Sequence, residues 1–341
     1  MTVEERKGWG GWVRWIFWNQ AEGRLRAGWR MLGQMLAAGA LVLPATLAWS
    51  VISEWILNSA LAEHLAVRLA VRLVGVSLTW ACLVGSLWLA GRFLDHRPLR
   101  DFGFRLGRGW WLDLGWWLDL GFGMLLGAAL MGGIFGVERA LGWVEVSGKL
   151  VTNSSTFEAG MLLYLGMFIG VALEEEMMAR GYWLRNLAEG LGGRLGGRGG
   201  LLAAYALSSA VFGLLHLGNE NASVVSTLNL MAAGLLLGLG FVLTGELAIP
   251  IGLHLTWNFF QGNVFGFPVS GGAPGTSLVA IRQGGPELWT GGGFGPEAGL
   301  VGVLAMLAGG AAIVLWVRLR QGRAGLQTRL AVYERRTVDR E

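Results

Sequence analysis

FEAGMLLYLGMFIGVALEEEMMARG, residues 157–181, places three consecutive glutamates and an arginine at the end of a long apolar run. A run of about 20 apolar residues is long enough to cross a bilayer as a helix. Ionisable side chains inside the hydrocarbon region are costly unless they are paired or face water. This segment therefore predicts a membrane helix that carries a polar, functional group of residues.

The composition of the whole chain also indicates a membrane protein. Of its 341 residues, 53% are hydrophobic and 15% are charged, and the mean hydropathy is +0.51; soluble domains carry about 25% charged residues. Including the quoted segment, apolar runs of spanning length lie at 31–57, 73–91, 114–136, 157–179, 200–218, 223–245 and 298–317. A shorter run lies at 247–262. We expect an all-α polytopic bundle of about eight transmembrane helices, or seven if the short run does not span, around an intramembrane polar cavity.

Arginines cluster in three places: before the first run, after the second run and after the last run. These clusters share one side of the membrane only if the number of spans is even, which favours eight over seven. The positive-inside rule makes that side the cytoplasm, so both termini are predicted to be cytoplasmic in an integral protein of the cell membrane. Because the basic residues are scattered along helix ends, we expect the bilayer to be a partner and expect no nucleic-acid partner.

The chain divides into three predicted parts. Residues 1–30 interleave tryptophan with arginine and predict an amphipathic helix on the cytoplasmic face, residues 31–317 form the bundle, and residues 318–341 form a basic cytoplasmic tail. Within the bundle, the glycine-rich stretch 192–200 predicts a connector where helices do not persist. Residues 263–296, with four prolines and many glycines, predict an extracytoplasmic loop over the bundle.

The glutamates divide into two predicted roles. Glu176 and Arg180 are four residues apart, so they share a helical face and are expected to form a buried ion pair. The adjacent Glu175 points about 100° away. A carboxylate facing an apolar cavity can act as a general base. Glu174 could take either role, and the cluster could also be only the polar end of the fourth span.

Two of the four histidines also lie in apolar runs. His216 follows Phe212 by four residues, and His254 precedes Asn258 by four, so each pair shares a helical face. His254 and Asn258 form a two-donor patch suited to a carbonyl oxygen that becomes negative. The alternative for each histidine alone is a hydrogen bond between helices. The midpoint between Glu175 and His216 falls in the glycine-rich connector, so a helical hairpin there would bring both residues to the same depth.

Glu-Glu-x-x-x-Arg-Gly, Phe-x-x-x-His and His-x-x-x-Asn, in this order on successive membrane helices, resemble the CPBP family of intramembrane proteases. That family includes the CAAX prenyl endopeptidases and the bacteriocin-processing Abi proteins. The resemblance covers about residues 95–265 and rests on seven positions: Glu175, Glu176, Arg180, Phe212, His216, His254 and Asn258. Glu174 is an additional acid beside the motif.

The resemblance implies peptide-bond hydrolysis within the bilayer on a membrane-bound substrate, such as a prenylated CAAX tail or a leader-bearing peptide. Glu175 and His216 would activate a water molecule, while His254 and Asn258 would stabilise the oxyanion. Because the family is also described as metalloproteases, Glu175, His216 and His254 are in addition a candidate Zn²⁺ ligand set. The chain has no His-Glu-x-x-His motif, so a metal-free glutamate mechanism is predicted equally. The alternatives are a catalytically inactive immunity or scaffold protein and a proton-coupled transporter.

Overall fold

The computed structural model describes residue 12 and residues 15–104, 112–154 and 156–334. Long apolar helices make up most of these residues, which confirms the predicted all-α membrane bundle. The main helices are α1 (Ala27–Leu57), α2 (Leu65–Ala90), α3 (Leu114–Ala140), α4 (Phe157–Glu176), α5 (Arg185–Leu215), α6 (Val224–Thr244), α7 (Ala248–Phe259) and α8 (Leu300–Gln321). The strands are β1 (Trp18–Asn19), β2 (Arg24–Leu25), β3 (Val144–Thr152) and β4 (Thr276–Gln283).

Shorter helical turns join or extend these elements. π-helical turns continue α2, α4 and α7, at Gly91–Asp95, Met177–Leu184 and Phe260–Val264. A one-turn α-helix lies at Glu287–Thr290, and 3₁₀ turns lie at Ala60–Glu63, Leu99–Phe102, His216–Gly218, Gly292–Phe294, Pro296–Ala298 and Thr328–Ala331. The turn after α4 is the one that matters for the site, because it links the acidic residues to α5.

Six helical stretches of the described chain are long and apolar enough to cross a membrane. The longest, Phe157–Gly218, bends at Gly196, where φ is 71° and ψ is 161°. The chain turns back at Gly196, within the predicted connector 192–200, although the residues on either side of it stay helical. The glycines let the two helical arms lie close together, since a Cβ atom on Gly200 would lie 2.6 Å from the backbone nitrogen of Gly192. The total of eight spans stays a prediction.

Helix α7 lies in the interior of the bundle, where all of residues 248–257 are buried. It packs against α3 through glycines: a Cβ atom on Gly127 would lie 2.5 Å from the Leu253 carbonyl oxygen. Thr256 also donates a hydrogen bond to the carbonyl oxygen of Met124 at 2.7 Å. Pro250 falls in the first turn of α7, where a missing N–H breaks no helical hydrogen bond. This position resolves how a helix can carry His254 four residues after a proline.

The end of the bundle near the start of α4 carries an antiparallel two-stranded sheet. Strand β3 pairs with β4 from Val144 opposite Gln283 to Thr152 opposite Thr276, with an irregularity between Val146 and Gly148. The predicted loop 263–296 thus contains a strand. Its partner lies more than a hundred residues earlier in the chain, and no local pattern marks that pairing.

The amino-terminal segment differs from the predicted amphipathic helix. Residues 15–17 are helical, but β1 and β2 then form a hairpin before α1 begins at Ala27. The prediction is wrong for residues 18–25, because Arg24 turns inward to pair with Asp95 at 3.0 Å and with Glu189 at 2.6 Å. A continuous surface helix could not deliver this side chain to both buried carboxylates. Residues 1–11, 13 and 14 of the predicted helix lie outside the described residues.

The carboxy-terminal tail is anchored to the same buried charges. Tyr333 donates a hydrogen bond to the carbonyl oxygen of Asp95 at 3.1 Å, and the Arg24 guanidinium lies 3.4 Å from the centre of its ring. Leu330 and Ala331 are buried. The first part of the predicted tail therefore packs on the bundle, and residues 335–341 lie outside the described residues.

Candidate active site

The site begins at the last turn of α4, where the chain changes to a π-helical turn. Arg180 Nη1 donates to Glu176 Oε1 at 2.7 Å, so the buried ion pair predicted from their spacing is present. Arg180 Nη2 also donates to the carbonyl oxygen of Gly234 at 3.1 Å, which ties α4 to α6. Its guanidinium lies 4.5 Å from the ring centre of Phe212. Both charges are fully enclosed, since the Glu176 and Arg180 side chains are 0% and 1% exposed.

Glu176 also holds a histidine of α7. His254 Nδ1 lies 2.8 Å from Glu176 Oε1, the same oxygen that accepts from Arg180. A carboxylate paired with arginine is an acceptor, so Nδ1 is the donor in this contact. The imidazole is thereby oriented with its Nε2 atom towards Glu175, at 3.9 Å from Oε2 of that residue.

Glu175 differs from Glu176 in its surroundings. Its side chain is 26% exposed, against 0% for Glu176, although both follow one another on α4. Its Oε2 atom is buried and has no hydrogen-bond partner among the described residues. The exposed part of the Glu175 side chain lines the cavity, where a water molecule can reach the carboxylate. Glu176 thus makes structural contacts, whereas the neighbouring Glu175 faces the cavity.

His216 lies at the carboxyl end of α5, not within the helix. Its Nδ1 atom lies 2.7 Å from the carbonyl oxygen of Phe212, one turn earlier. Because a carbonyl oxygen only accepts, Nδ1 carries the proton, which leaves Nε2 with a lone pair in the neutral ring. The Phe212 ring lies 4.9 Å from the His216 ring and 6.3 Å from the His254 ring, measured between centroids. Phe212 therefore packs against both histidines.

These side chains meet in one cavity of about 380 Å³ between α4, α5, α6 and α7. Its polar lining residues are Glu174, Glu175, His216, Asn219, His254, Asn258, Ser270 and Glu297. Four of them, from three helices, are the residues that the sequence predicts as catalytic. Most of the other lining residues are apolar, among them Phe168, Trp183, Leu236, Trp257 and Met306. The arrangement is a small polar patch in an apolar wall, which is typical of sites for small molecules and peptides.

A roof over the cavity, residues 265–299, was not predicted to supply site residues. It contributes Ser270 and Glu297. Glu297 is 3% exposed and accepts a hydrogen bond from the Ser270 backbone nitrogen at 2.6 Å and another from the Gln261 side chain. Burial raises the pKa of Glu297 to about 7, against the opposing effect of these hydrogen bonds. Nothing in the glycine-rich sequence of the roof predicts that Glu297 lines the cavity.

The described residues do not offer a ready metal site. Within them, no group of three or more histidine, cysteine, aspartate or glutamate side chains has an arrangement that could hold a metal ion. Two possible ligand atoms are engaged elsewhere, because Nδ1 of His254 contacts Glu176 and Nδ1 of His216 contacts the Phe212 carbonyl. These contacts leave Nε2 of both histidines available, so the Zn²⁺ ligand set of Glu175, His216 and His254 stays a prediction.

Residues 157–260 match the family described as Type II CAAX prenyl endopeptidase Rce1-like. The match spans about a third of the chain and contains all the motif residues, from Glu175 to Asn258. No curated protein and no solved structure matches this chain. The matched segment confirms the predicted resemblance, because over these residues the chain is similar to the Rce1-like family. This assignment supports, in general terms, a CAAX-type intramembrane endopeptidase and an integral membrane protein.

Proposed function

We propose that this protein hydrolyses a peptide bond of a membrane-associated substrate, with Glu175 as the general base. The observation that carries the proposal is the shared cavity, which collects Glu175, His216, His254 and Asn258 from α4, α5 and α7. Polar side chains at membrane depth are tolerated where they line a wet cavity, and such a group is a functional site by default.

The first step is the activation of water. The Glu175 carboxylate, which lines the cavity, accepts a proton from a water molecule. The lone pair on His216 Nε2 accepts the second hydrogen of the same water and orients it. The water oxygen then forms a bond to the carbonyl carbon of the scissile peptide.

The second step is stabilisation of the oxyanion. His254 donates Nδ1–H to Glu176 and, as the imidazolium, has a second N–H at Nε2 for the oxyanion. The Asn258 amide, one turn further along α7, is the second donor. The carbon–nitrogen bond then breaks, the proton held by Glu175 passes to the leaving amine, and a carboxylic acid and an amine are released.

The substrate class follows from the family rather than from any contact in the cavity. We propose a lipidated CAAX-like tail or a leader-bearing peptide that reaches the cavity from the bilayer. Both termini are proposed to lie in the cytoplasm, from the arginine clusters at the helix ends.

The deciding experiment is a cleavage assay on the purified full chain in detergent, with prenylated CAAX peptides and leader peptides as substrates. The parent should cleave at least one class, and Glu175→Gln should reduce kcat to background. Glu158→Gln is the matched control, because it removes a carboxylate from the exposed first turn of the same helix. A folded Glu175→Gln variant with parental kcat would remove Glu175 from the chemistry.

Two further results would redirect the proposal. If the parent cleaves neither class of peptide, and the Glu175→Gln and Glu158→Gln variants do not differ from it, the result would favour an inactive immunity or scaffold protein. A chelator that abolishes turnover, with recovery on adding Zn²⁺, would favour the metal mechanism over the metal-free one.

A further inference from the structure

A second cavity, of about 360 Å³, lies at the opposite end of the chemistry-bearing helices, where α1 begins. Its walls come from the amino-terminal segment, the first turn of α1 and the first third of α5. The lining residues are Trp15, Ile16, Asn19, Glu22, Arg26, Ala27, Gly28, Arg30, Leu187, Gly190, Leu191 and Arg194. Helices α1 and α5 approach closely here, since a Cβ atom on Gly190 would lie 2.8 Å from Cβ of Ala27.

The charge of this cavity is positive. Three arginines line it and one carboxylate, that of Glu22, faces them. Glu22 is already engaged, because its Oε2 atom lies 2.7 Å from Arg24 Nη2. Arg26 uses Nε to donate to the Trp15 carbonyl oxygen at 2.6 Å, and no described carboxylate pairs with it. Arg194 is exposed and likewise has no ion pair with a described residue.

Arg30 supplies an independent sign that a ligand is expected. It is 1% exposed and uses Nε to pair with Asp95 at 2.9 Å and Nη1 to donate to the Leu25 carbonyl oxygen, but its Nη2 atom donates to no hydrogen-bond acceptor among the described residues. The nearest opposite charge to that atom is Glu189 Oε2 at 3.6 Å, beyond hydrogen-bond length. A buried guanidinium nitrogen without an acceptor is unusual, because such donors are costly to leave unsatisfied.

The first turn of α1 adds to the positive potential. Arg26 is the N-cap residue of this 31-residue helix and makes no side-chain capping bond, and the first turn contains no acidic residue. The amino end of a helix attracts anions through its free N–H groups and its dipole. Because α1 is long and apolar enough to span a bilayer, this end lies where lipid headgroups would be.

We propose that this cavity binds a phosphate group, held by Arg26, Arg30 and Arg194. Guanidinium groups suit phosphate oxygens because they donate in a planar fork. The same chemistry serves two sources, the headgroup of an anionic phospholipid and a free phosphate compound. The location at the end of α1 favours the lipid. This binding site is independent of the peptidase chemistry.

The test uses the delipidated full chain in detergent. Native mass spectrometry measures retention of phosphatidylglycerol and of phosphatidylcholine, and thermal unfolding measures stabilisation by each lipid and by inorganic phosphate. The parent should retain phosphatidylglycerol over phosphatidylcholine. The apparent affinity should fall about fivefold for each arginine removed, and hence about 25-fold in Arg26→Gln/Arg194→Gln.

Two single variants keep the test decisive. Arg194→Gln changes only an exposed side chain, so it should fold normally even if the double variant does not. Arg198→Gln, exposed but outside the lining, is the matched control and should bind like the parent. Stabilisation by inorganic phosphate that is lost in Arg194→Gln would support the site with a free phosphate as its ligand. Equal phosphatidylglycerol and phosphate binding by the parent, Arg194→Gln and Arg198→Gln would overturn the proposal.

Discussion

His254 on α7 and Arg180 in the turn after α4 donate to the same oxygen of Glu176, at 2.8 Å and 2.7 Å. This shared acceptor joins the two halves of the site. It neutralises a fully buried carboxylate and at the same time orients the imidazole that faces the cavity. The acidic motif therefore separates its tasks, with Glu176 holding the framework and Glu175 free for chemistry.

Removal of Arg180 should destabilise the protein. Arg180→Ala leaves Glu176 with one partner fewer and also removes the hydrogen bond to the Gly234 carbonyl. Loss of one member of a buried ion pair costs roughly 3–5 kcal/mol. Unfolding in a mixed detergent titration should detect the change. Arg180→Lys keeps the charge but loses the planar guanidinium, so its stability should lie between those of the parent and of Arg180→Ala. An Arg180→Ala variant as stable as the parent would contradict the structural role of Arg180.

Removal of the second proposed oxyanion donor should affect turnover and not substrate binding. In Asn258→Ala the His254 contact with Glu176 stays intact, so the fold should be unaffected. Loss of one oxyanion donor costs about 10²–10³-fold in kcat. Steady-state kinetics should show this fall with a nearly constant KM. A rise in KM at constant kcat would instead make Asn258 a substrate-binding residue.

The stability of the parent should fall as pH rises from about 4.5 to about 7. Burial raises the pKa of Glu297 to about 7, whereas a glutamate in the unfolded chain titrates near 4.3. Between these values the folded protein binds the additional proton, so raising the pH favours the unfolded state, and the effect levels off above 7. The full contribution is of the order of 3 kcal/mol.

Glu297→Gln isolates this effect, because glutamine does not titrate. Thermal unfolding between pH 4.5 and 8 should show a smaller slope for the variant than for the parent. Parallel curves would mean that Glu297 is ionised throughout this range. The cleavage assay at each pH would then show whether the roof also governs access to the cavity.

Substitution by alanine should destabilise the protein at Gly252 but not at Gly136. A Cβ atom on Gly252 would overlap the Leu120 carbonyl oxygen and lie 2.8 Å from the Met124 nitrogen, so Gly252→Ala must push α7 away from α3. Overpacking of this kind costs about 1–3 kcal/mol. Gly136 on α3 has no atom within 4 Å of its Cβ position, so Gly136→Ala should be neutral or stabilising by up to about 1 kcal/mol. Unfolding midpoints of both variants check this contrast.

Local spacing accounts for what could be predicted of the site. The pairing of Glu176 with Arg180 follows from four residues on one helix, whatever surrounds them. The hairpin that brings Glu175 and His216 to the same cavity was also predictable, because both are nearly equidistant from the break at Gly196. The roof was not, since Glu297 and Ser270 lie in glycine-rich turns without a periodic pattern.

The sequence by itself determined the class of the protein, the helical bundle and the identity of the motif residues, because hydropathy and helical periodicity are local properties of the chain. Only the tertiary structure decided that His254 contacts Glu176 and that β3 pairs with β4. It also decided that the Arg24 side chain points inward and pairs with the buried carboxylates of Asp95 and Glu189. These contacts join residues that are distant in the chain, and they depend on helix rotation and on how closely glycines let backbones approach, which no local pattern encodes.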